Sequence, residues 1–171
     1  MLRLVELTLG MEAQFMEFRK ALASEDPQNR WLFEYYGESF GVFVNKLRAH
    51  KQGKQVPKGW VPASAFFLIN DDGKIVGKSS LRHELNDFLR NIGGHIGYII
   101  RRDERQNGYG TAILKLTLEK AKTLGLARVL VTCDEDNIAS AKIIEKNGGV
   151  FKDLYQNDDM NVPKRRYWIE L

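Results

Sequence analysis

The sequence predicts an α/β fold, α+β in detail, with helices flanking a mixed β-sheet in a single domain over residues 1–171. Three observations predict it. Short apolar or alternating runs recur along the chain with helical stripes between them. Two of those runs flank the turn Asp71-Asp72-Gly73-Lys74 and form a hairpin. A basic, glycine-bearing turn joins another run directly to the clearest helix in the chain. A length of 171 residues suits one domain and can bury a sizeable core, and 43% apolar with 28% charged residues is an ordinary globular composition.

The elements follow in order. Leu2, Leu4 and Leu7 alternate with Arg3 and Glu6 as a first strand. Met11, Phe15, Phe18 and Leu22 recur at helical spacing from Met11 to Ala23, and Pro27 lies just beyond. A second helical pattern runs from about Gln28 to His50, with Trp31, Tyr35, Phe40, Phe43 and Leu47 on its apolar side. Gly37 and Gly41 permit a break near its middle. These rings read mainly as core, with one or two available to line an acceptor pocket. Lys51 to Pro62 is a loop, Ala65 to Asn70 and Ile75 to Leu81 are the hairpin strands, and residues 87–91 form one helical turn.

Tyr98-Ile99-Ile100 opens the next strand, and helix follows from Tyr109 to Leu124, with Ile113, Leu114, Leu118, Ala121 and Leu124 as its apolar stripe and Gly125 as its cap. Val129 to Thr132 is a continuous apolar strand, as a strand covered on both faces requires. Asn137 caps a helix from Ile138 to Lys146, which stops at Asn147-Gly148-Gly149. Val150 to Tyr155 and Arg165 to Ile169 are two final antiparallel strands.

Bulk chemistry narrows the function classes. A net charge of +4 suits an anionic ligand but is too mild to indicate nucleic acid. Cys133 is the only cysteine, so no internal disulfide forms, which fits a reducing cytosol. The charged, alternating start is no signal peptide, and no stretch approaches the ~20 apolar residues of a membrane helix.

The chemistry concentrates between Gly97 and Gly110, in GYIIRRDERQNGYG. Two glycines and Asn107 at a strand-to-helix junction let the backbone turn tightly and point N–H groups outward. The first turn of a helix leaves N–H groups unpaired and carries the positive end of the dipole, so the junction is a phosphate cradle. It is not a Walker loop, because no Gly-Lys-Ser/Thr follows, and Ile113 stands where a dinucleotide fingerprint needs glycine.

This segment resembles motif A of the GNAT superfamily of acyl-CoA-dependent N-acyltransferases, Arg/Gln-x-x-Gly-x-Gly/Ala, which Arg105, Gly108 and Gly110 fill. Asp134-Glu135-Asp136-Asn137 and Lys146-Asn147-Gly148-Gly149 resemble the family's second coenzyme-contacting region. The resemblance covers the second half of the chain well and the first half by order of elements. It implies a GNAT fold whose two central strands, near 95–101 and 127–133, splay apart to admit acetyl-CoA. It further implies that the backbone of Gln106, Asn107, Gly108, Tyr109, Gly110 and Thr111 holds the pyrophosphate, with Arg105 opening the motif and Arg101 or Arg102 adding attraction. Backbone groups of Tyr98, Ile99 and Ile100 would bond the pantetheine amides, and Asn137 would contact the cofactor arm with Ser140 beside it.

Transfer in this family is direct attack of an amine on the thioester. A lysine-like amine has a pKa of about 10.4, so presenting it neutral at pH 7 costs about 4–5 kcal/mol, which favours a general base. His95 is the first candidate and Glu84 the second, with His83 beside it. Many relatives carry an acid tyrosine seven residues after the asparagine; here Ile144 stands there, leaving Tyr109, Ser140, water or unaided thiolate release. Cys133 reads as a buried strand cysteine. No metal-ligand spacing is present.

The sequence therefore predicts a cytosolic N-acetyltransferase using acetyl-CoA and an amine-bearing acceptor, with no metal, no nucleic acid and no membrane partner. A transferase of another acyl group or acceptor, a coenzyme-binding sensor without turnover, and a basic nucleic-acid-binding domain are the alternatives. Loops at Ala23 to Arg30, Lys51 to Pro62 and Asp158 to Pro163 would shape the acceptor site. The final strands can pair across a homodimer.

Overall fold

A computed structural model describes residues 1–25 and 39–171. Seven strands form one sheet: β1 (Arg3–Val5), β2 (Ala63–Ile69), β3 (Ile75–Arg82), β4 (Ile96–Ile100), β5 (Arg128–Asp134), β6 (Val150–Tyr155) and β7 (Lys164–Glu170). Their order across the sheet is β1-β2-β3-β4-β5-β7-β6. Every pairing is antiparallel except β4 with β5, which is parallel because helix α3 (Tyr109–Thr123) crosses between them. The sheet is mixed, as the hairpin and the strand–helix–strand unit together require.

One face is covered by α1 (Glu12–Glu25) and α2 (Phe40–Lys51). Phe15 sits at its centre, 5.1 Å from the ring of Phe43, 5.3 Å from Phe40 and edge-on to Phe67 at 5.9 Å. Phe40 and Phe43 are thus core, as their spacing predicts. Ser39 caps α2, accepting from Val42 N–H. The part of the predicted second helix between Gln28 and Glu38, with Trp31 and Tyr35, lies outside the described residues.

The other face is covered by α3 and by α4 (Ile138–Lys146). Ile113, Leu114 and Ala121 of α3 are buried as the stripe predicts, but Leu124 at its end is exposed, and Leu126, after the Gly125 turn, packs there instead. A polar pair lies beneath α3, where Ser79 and Thr117 share a buried hydrogen bond of 2.8 Å and Thr117 also donates to Ile113 O. The predicted strand bounds hold to within two residues, and the helical turn after the hairpin is a wide π turn, Leu89–Gly93.

The two central strands separate. β4 and β5 share a single ladder pair, Ile96 with Val131, at the start of β4. Here the strands are fastened by His95 N–H to Leu130 O (2.7 Å) and by Thr132 Oγ1 to Ile92 O (2.6 Å). Beyond Ile96 no further β4–β5 pair forms, so the edge of β4 that faces β5 is open along Gly97–Ile100. Among the described residues no helix is long and apolar enough to cross a membrane.

Candidate functional site

The open edge of β4 leads into the glycine-bearing turn. After Ile100 the chain makes a single 3-10 turn, Arg102–Glu104, and Arg105 returns its Nε to Ile100 O at 3.1 Å. Gln106 (φ 66°) and Gly108 (φ 77°) are both left-handed, which swings the backbone outward before α3 begins. Gly108 is the N-cap of α3, and no side chain caps that helix. The backbone N–H groups from Gln106 through Thr111 consequently donate to no acceptor among the described residues. They form a run of donors on exposed or half-exposed residues at the positive end of a helix, an arrangement whose sign and geometry suit an anion.

The glycines serve two different needs. A side chain at Gly108 would meet open space, so that residue is required by its backbone angle. A Cβ at Gly110 would stand 2.6 Å from Ile143 Cδ1, so Gly110 lets α3 pack closely on α4. Asn147 reinforces this contact by donating to Thr111 O at 3.3 Å and to Ile143 O at 2.9 Å.

Arg101 does not face this turn as a loose cation. It is buried, donates Nε and Nη2 to Asp103 (2.7 and 2.9 Å), and reaches Glu17 of α1 at 3.0 Å. Its role is to lock the turn to α1.

Across the gap, Asn137 caps α4 with Oδ1, accepting from Ser140 N–H at 3.0 Å, and its Nδ2 donates to no protein group among the described residues. Tyr98 projects from β4 among residues that pack under α3 and α4. Its hydroxyl is buried without a hydrogen-bond partner of good geometry. Burial pushes its pKa up to about 12, with nearby Ser140 pulling the other way. The hydroxyl is a donor with no acceptor, beside the open edge. Ile144 is fully buried in the core beneath α4, and Cys133 on β5 is a buried thiol raised by burial to about 11, far from thiolate at neutral pH. Tyr109 is half-buried against the core at the start of α3.

His95 stands at the head of β4. Its Nδ1 accepts from Leu130 N–H at 2.9 Å, so the neutral ring carries its proton on Nε2 and has no free lone pair. Burial, then the charges of Arg82 and Arg90, hold its pKa down to about 4. Glu84 is exposed just past the end of β3, next to His83, whose Nε2 lies 2.9 Å from Ser64 Oγ. Burial and Lys51 lower the His83 pKa.

A cavity of about 470 Å³ opens on the α1/α2 face, one strand from the gap. Ala63 and Ala65 of β2 and Lys78, Ser80 and Arg82 of β3 form its floor, and Phe43, Leu47, Trp60 and Phe88 are among its walls. Sequence reasoning counts Phe43 among the rings of which one or two can line an acceptor pocket, names Leu47 only as a member of an apolar helix side, and misses Arg82. Among the described residues no cluster of His, Cys, Asp and Glu is arranged to hold a metal ion.

The model of the acetyltransferase (GNAT) domain matches residues 5–150. The chain belongs to this family. A GNAT fold with its open central strands is therefore an acyltransferase framework, and acetyl-CoA with an amine is the substrate pair of the family. Solved GNAT structures share the architecture. Mutant forms of the spermidine/spermine N-acetyltransferase from Vibrio cholerae superpose with a TM-score of 0.65 at 17% identity, covering 99% of this chain and 95% of theirs. A GNAT-family acetyltransferase from Streptococcus pneumoniae gives 0.62 at 18%, covering 100% of both chains. At these identities the likeness speaks for the fold.

Proposed function

We propose that this chain transfers the acetyl group of acetyl-CoA to a primary amine. One observation carries the reading: the unbonded N–H groups from Gln106 through Thr111 lie at the end of the β4 edge that β5 leaves open. The turn would hold a pyrophosphate, and the edge from Gly97 to Ile100 would pair with amides as another strand does. The donors left over, Tyr98 Oη and Asn137 Nδ2, fit a coenzyme arm lying between β4 and α4. When bound, acetyl-CoA supplies the electrophilic thioester carbonyl.

The amine enters from the cavity on the α1/α2 face. His95 serves as clamp and Nε2 donor, because Leu130 already occupies the lone pair a base would use. The ammonium proton leaves through cavity water, with Glu84, between the cavity-lining Arg82 and Asn86 in the chain, as the receiving carboxylate. Tyr98 takes the place of the tyrosine that Ile144 cannot provide, donating a hydrogen bond to the departing thiolate. The single, buried Cys133 can form no internal disulfide, which fits a cytosolic protein. Val150, Phe151 and Leu154, exposed on the outer strand β6, support a homodimer through that edge.

The test is calorimetric titration with acetyl-CoA and with CoA, followed by thiol release against a panel of amines. Saturable micromolar binding with turnover is the expected result. Binding without turnover on any amine would favour a coenzyme sensor, and no binding would overturn the reading.

A further inference from the structure

We infer that the acceptor carries a carboxylate or a similar anionic group beside its amine, and that Arg82 receives it. This rests on the transferase reading, because the cavity is taken as the acceptor site of that enzyme.

Arg82 is the observation that leads there. It projects from the last position of β3 into the cavity floor and is half-buried. Its Nη1 donates to Gly93 O at 3.0 Å and to Gly94 O at 3.4 Å. These two carbonyls fix the guanidinium over the central strand, where a Cβ at Gly97 would lie 3.3 Å from Nη1 and 3.6 Å from Nη2. Among the described residues no carboxylate lies within ion-pair range, and Nε and Nη2 donate to none of them.

A guanidinium withdrawn from water without a counter-ion is costly, and two carbonyls do not neutralise it. Its pKa is pushed down by burial alone, with no carboxylate acting to raise it. The two remaining donor groups form the fork that grips a carboxylate in a bidentate pair. The surroundings agree in sign. The ionisable residues lining the cavity among those described are His50, Lys58, Lys78 and Arg82, and none is acidic. A polyamine would meet like charge at Lys58 and Arg82. Phe43, Leu47, Trp60 and Phe88 offer apolar walls, so the body of the acceptor is apolar or aromatic, of a size that suits a small-molecule cavity.

The position adds a reason for the charge. Gly97 follows directly on Ile96, which makes the single β4–β5 pair at the apex of the gap. An anion held on Arg82 is thereby anchored beside the place where the amine must meet the acyl carbon.

The test compares L-phenylalanine with L-phenylalaninamide, and both with spermidine, on CoA-saturated protein by calorimetry and with acetyl-CoA by thiol release. The acid should bind about ten- to a hundredfold better than the amide, the range a charge-assisted hydrogen-bonded pair gives, and spermidine should be the poorest. R82Q should erase the preference for the acid while CoA affinity stays unchanged, and R82K should restore part of it. Preference for the amide or spermidine, failure of both phenylalanine probes to bind, or an undiminished acid preference in R82Q would each overturn the proposal. The matched probes test the unmodified protein, so the result stands even where a variant fails to fold. CoA titration of the same samples separates the two readings. CoA binding with no acid preference defeats only the anion site, whereas acid preference without CoA binding defeats the transferase reading and leaves the anion site standing.

Discussion

His95 Nδ1 accepts a hydrogen bond from the backbone N–H of Leu130 at 2.9 Å, tying an imidazole to the neighbouring strand at the centre of the sheet. Protonating Nδ1 would break that bond and place a charge in a buried site near Arg82 and Arg90. The folded ring therefore keeps a pKa of about 4, below its ordinary 6.5. Between those values the unfolded chain binds more protons, so this contribution is complete above pH 6.5 and is lost as the pH falls toward 4. The loss expected is about 3 kcal/mol, read from urea unfolding at pH 7.5 and 4.5. His95→Gln, which can accept from Leu130 and does not titrate, should flatten most of that slope. His83, also held low, leaves a smaller remainder.

Gly94 stands next to this clamp with φ at +63°, and a Cβ on it would lie 2.7 Å from Leu130 O. The obstacle is backbone that the His95 N–H bond holds in place, so it cannot give. Gly94→Ala should cost about 2–4 kcal/mol, combining the left-handed penalty with the clash. A shift in the urea midpoint at constant slope is the measure.

Tyr98→Phe should separate stability from binding. Removing a buried hydroxyl that has no partner relieves a desolvation cost, so the ligand-free protein should gain about 1 kcal/mol. If that hydroxyl serves the coenzyme arm, affinity for CoA should fall about tenfold. Thermal melting with and without CoA reads both effects, which oppose each other.

Gly108→Ala meets no neighbour but must hold φ near +77°. The stability cost should stay at about 1 kcal/mol. If this turn holds the pyrophosphate, CoA affinity should drop more steeply, because relaxing that angle redirects the backbone N–H groups of the turn. Gly110→Ala provides the contrast, since it presses on the flexible tip of Ile143 and leaves the turn's angles alone. Calorimetric CoA titration of the two variants makes the comparison.

Much of this architecture is legible in the amino-acid sequence, and for local reasons. The motif Arg105-x-x-Gly108-x-Gly110 demands a turn before a helix within a few residues. Asn137 caps α4 with its own side chain, and α4 keeps its predicted bounds, Ile138 to Lys146. What the sequence hides depends on distant partners. Arg82 ends an alternating strand where arginine ordinarily faces water; only the Gly93–Gly94 carbonyls and the bare surface of Gly97 draw it inward. The lone pair of His95 is taken by a residue thirty-five positions away. Arg101 looks like a cation for phosphate until α1 brings Glu17 to it. Leu124 fits the apolar stripe by number, yet α3 ends before its side chain reaches cover.

The single ladder pair between Ile96 and Val131 makes the sheet two panels, β1 to β4 on one side and β5, β7 and β6 on the other. Bound along the slot between them, a peptide-like arm would act as a removable eighth strand. Its amides would close the rungs the protein leaves out, and its departure would return the panels to their hinge. Mechanical integrity and readiness for chemistry would then rise and fall together, with the loaded state the more rigid one.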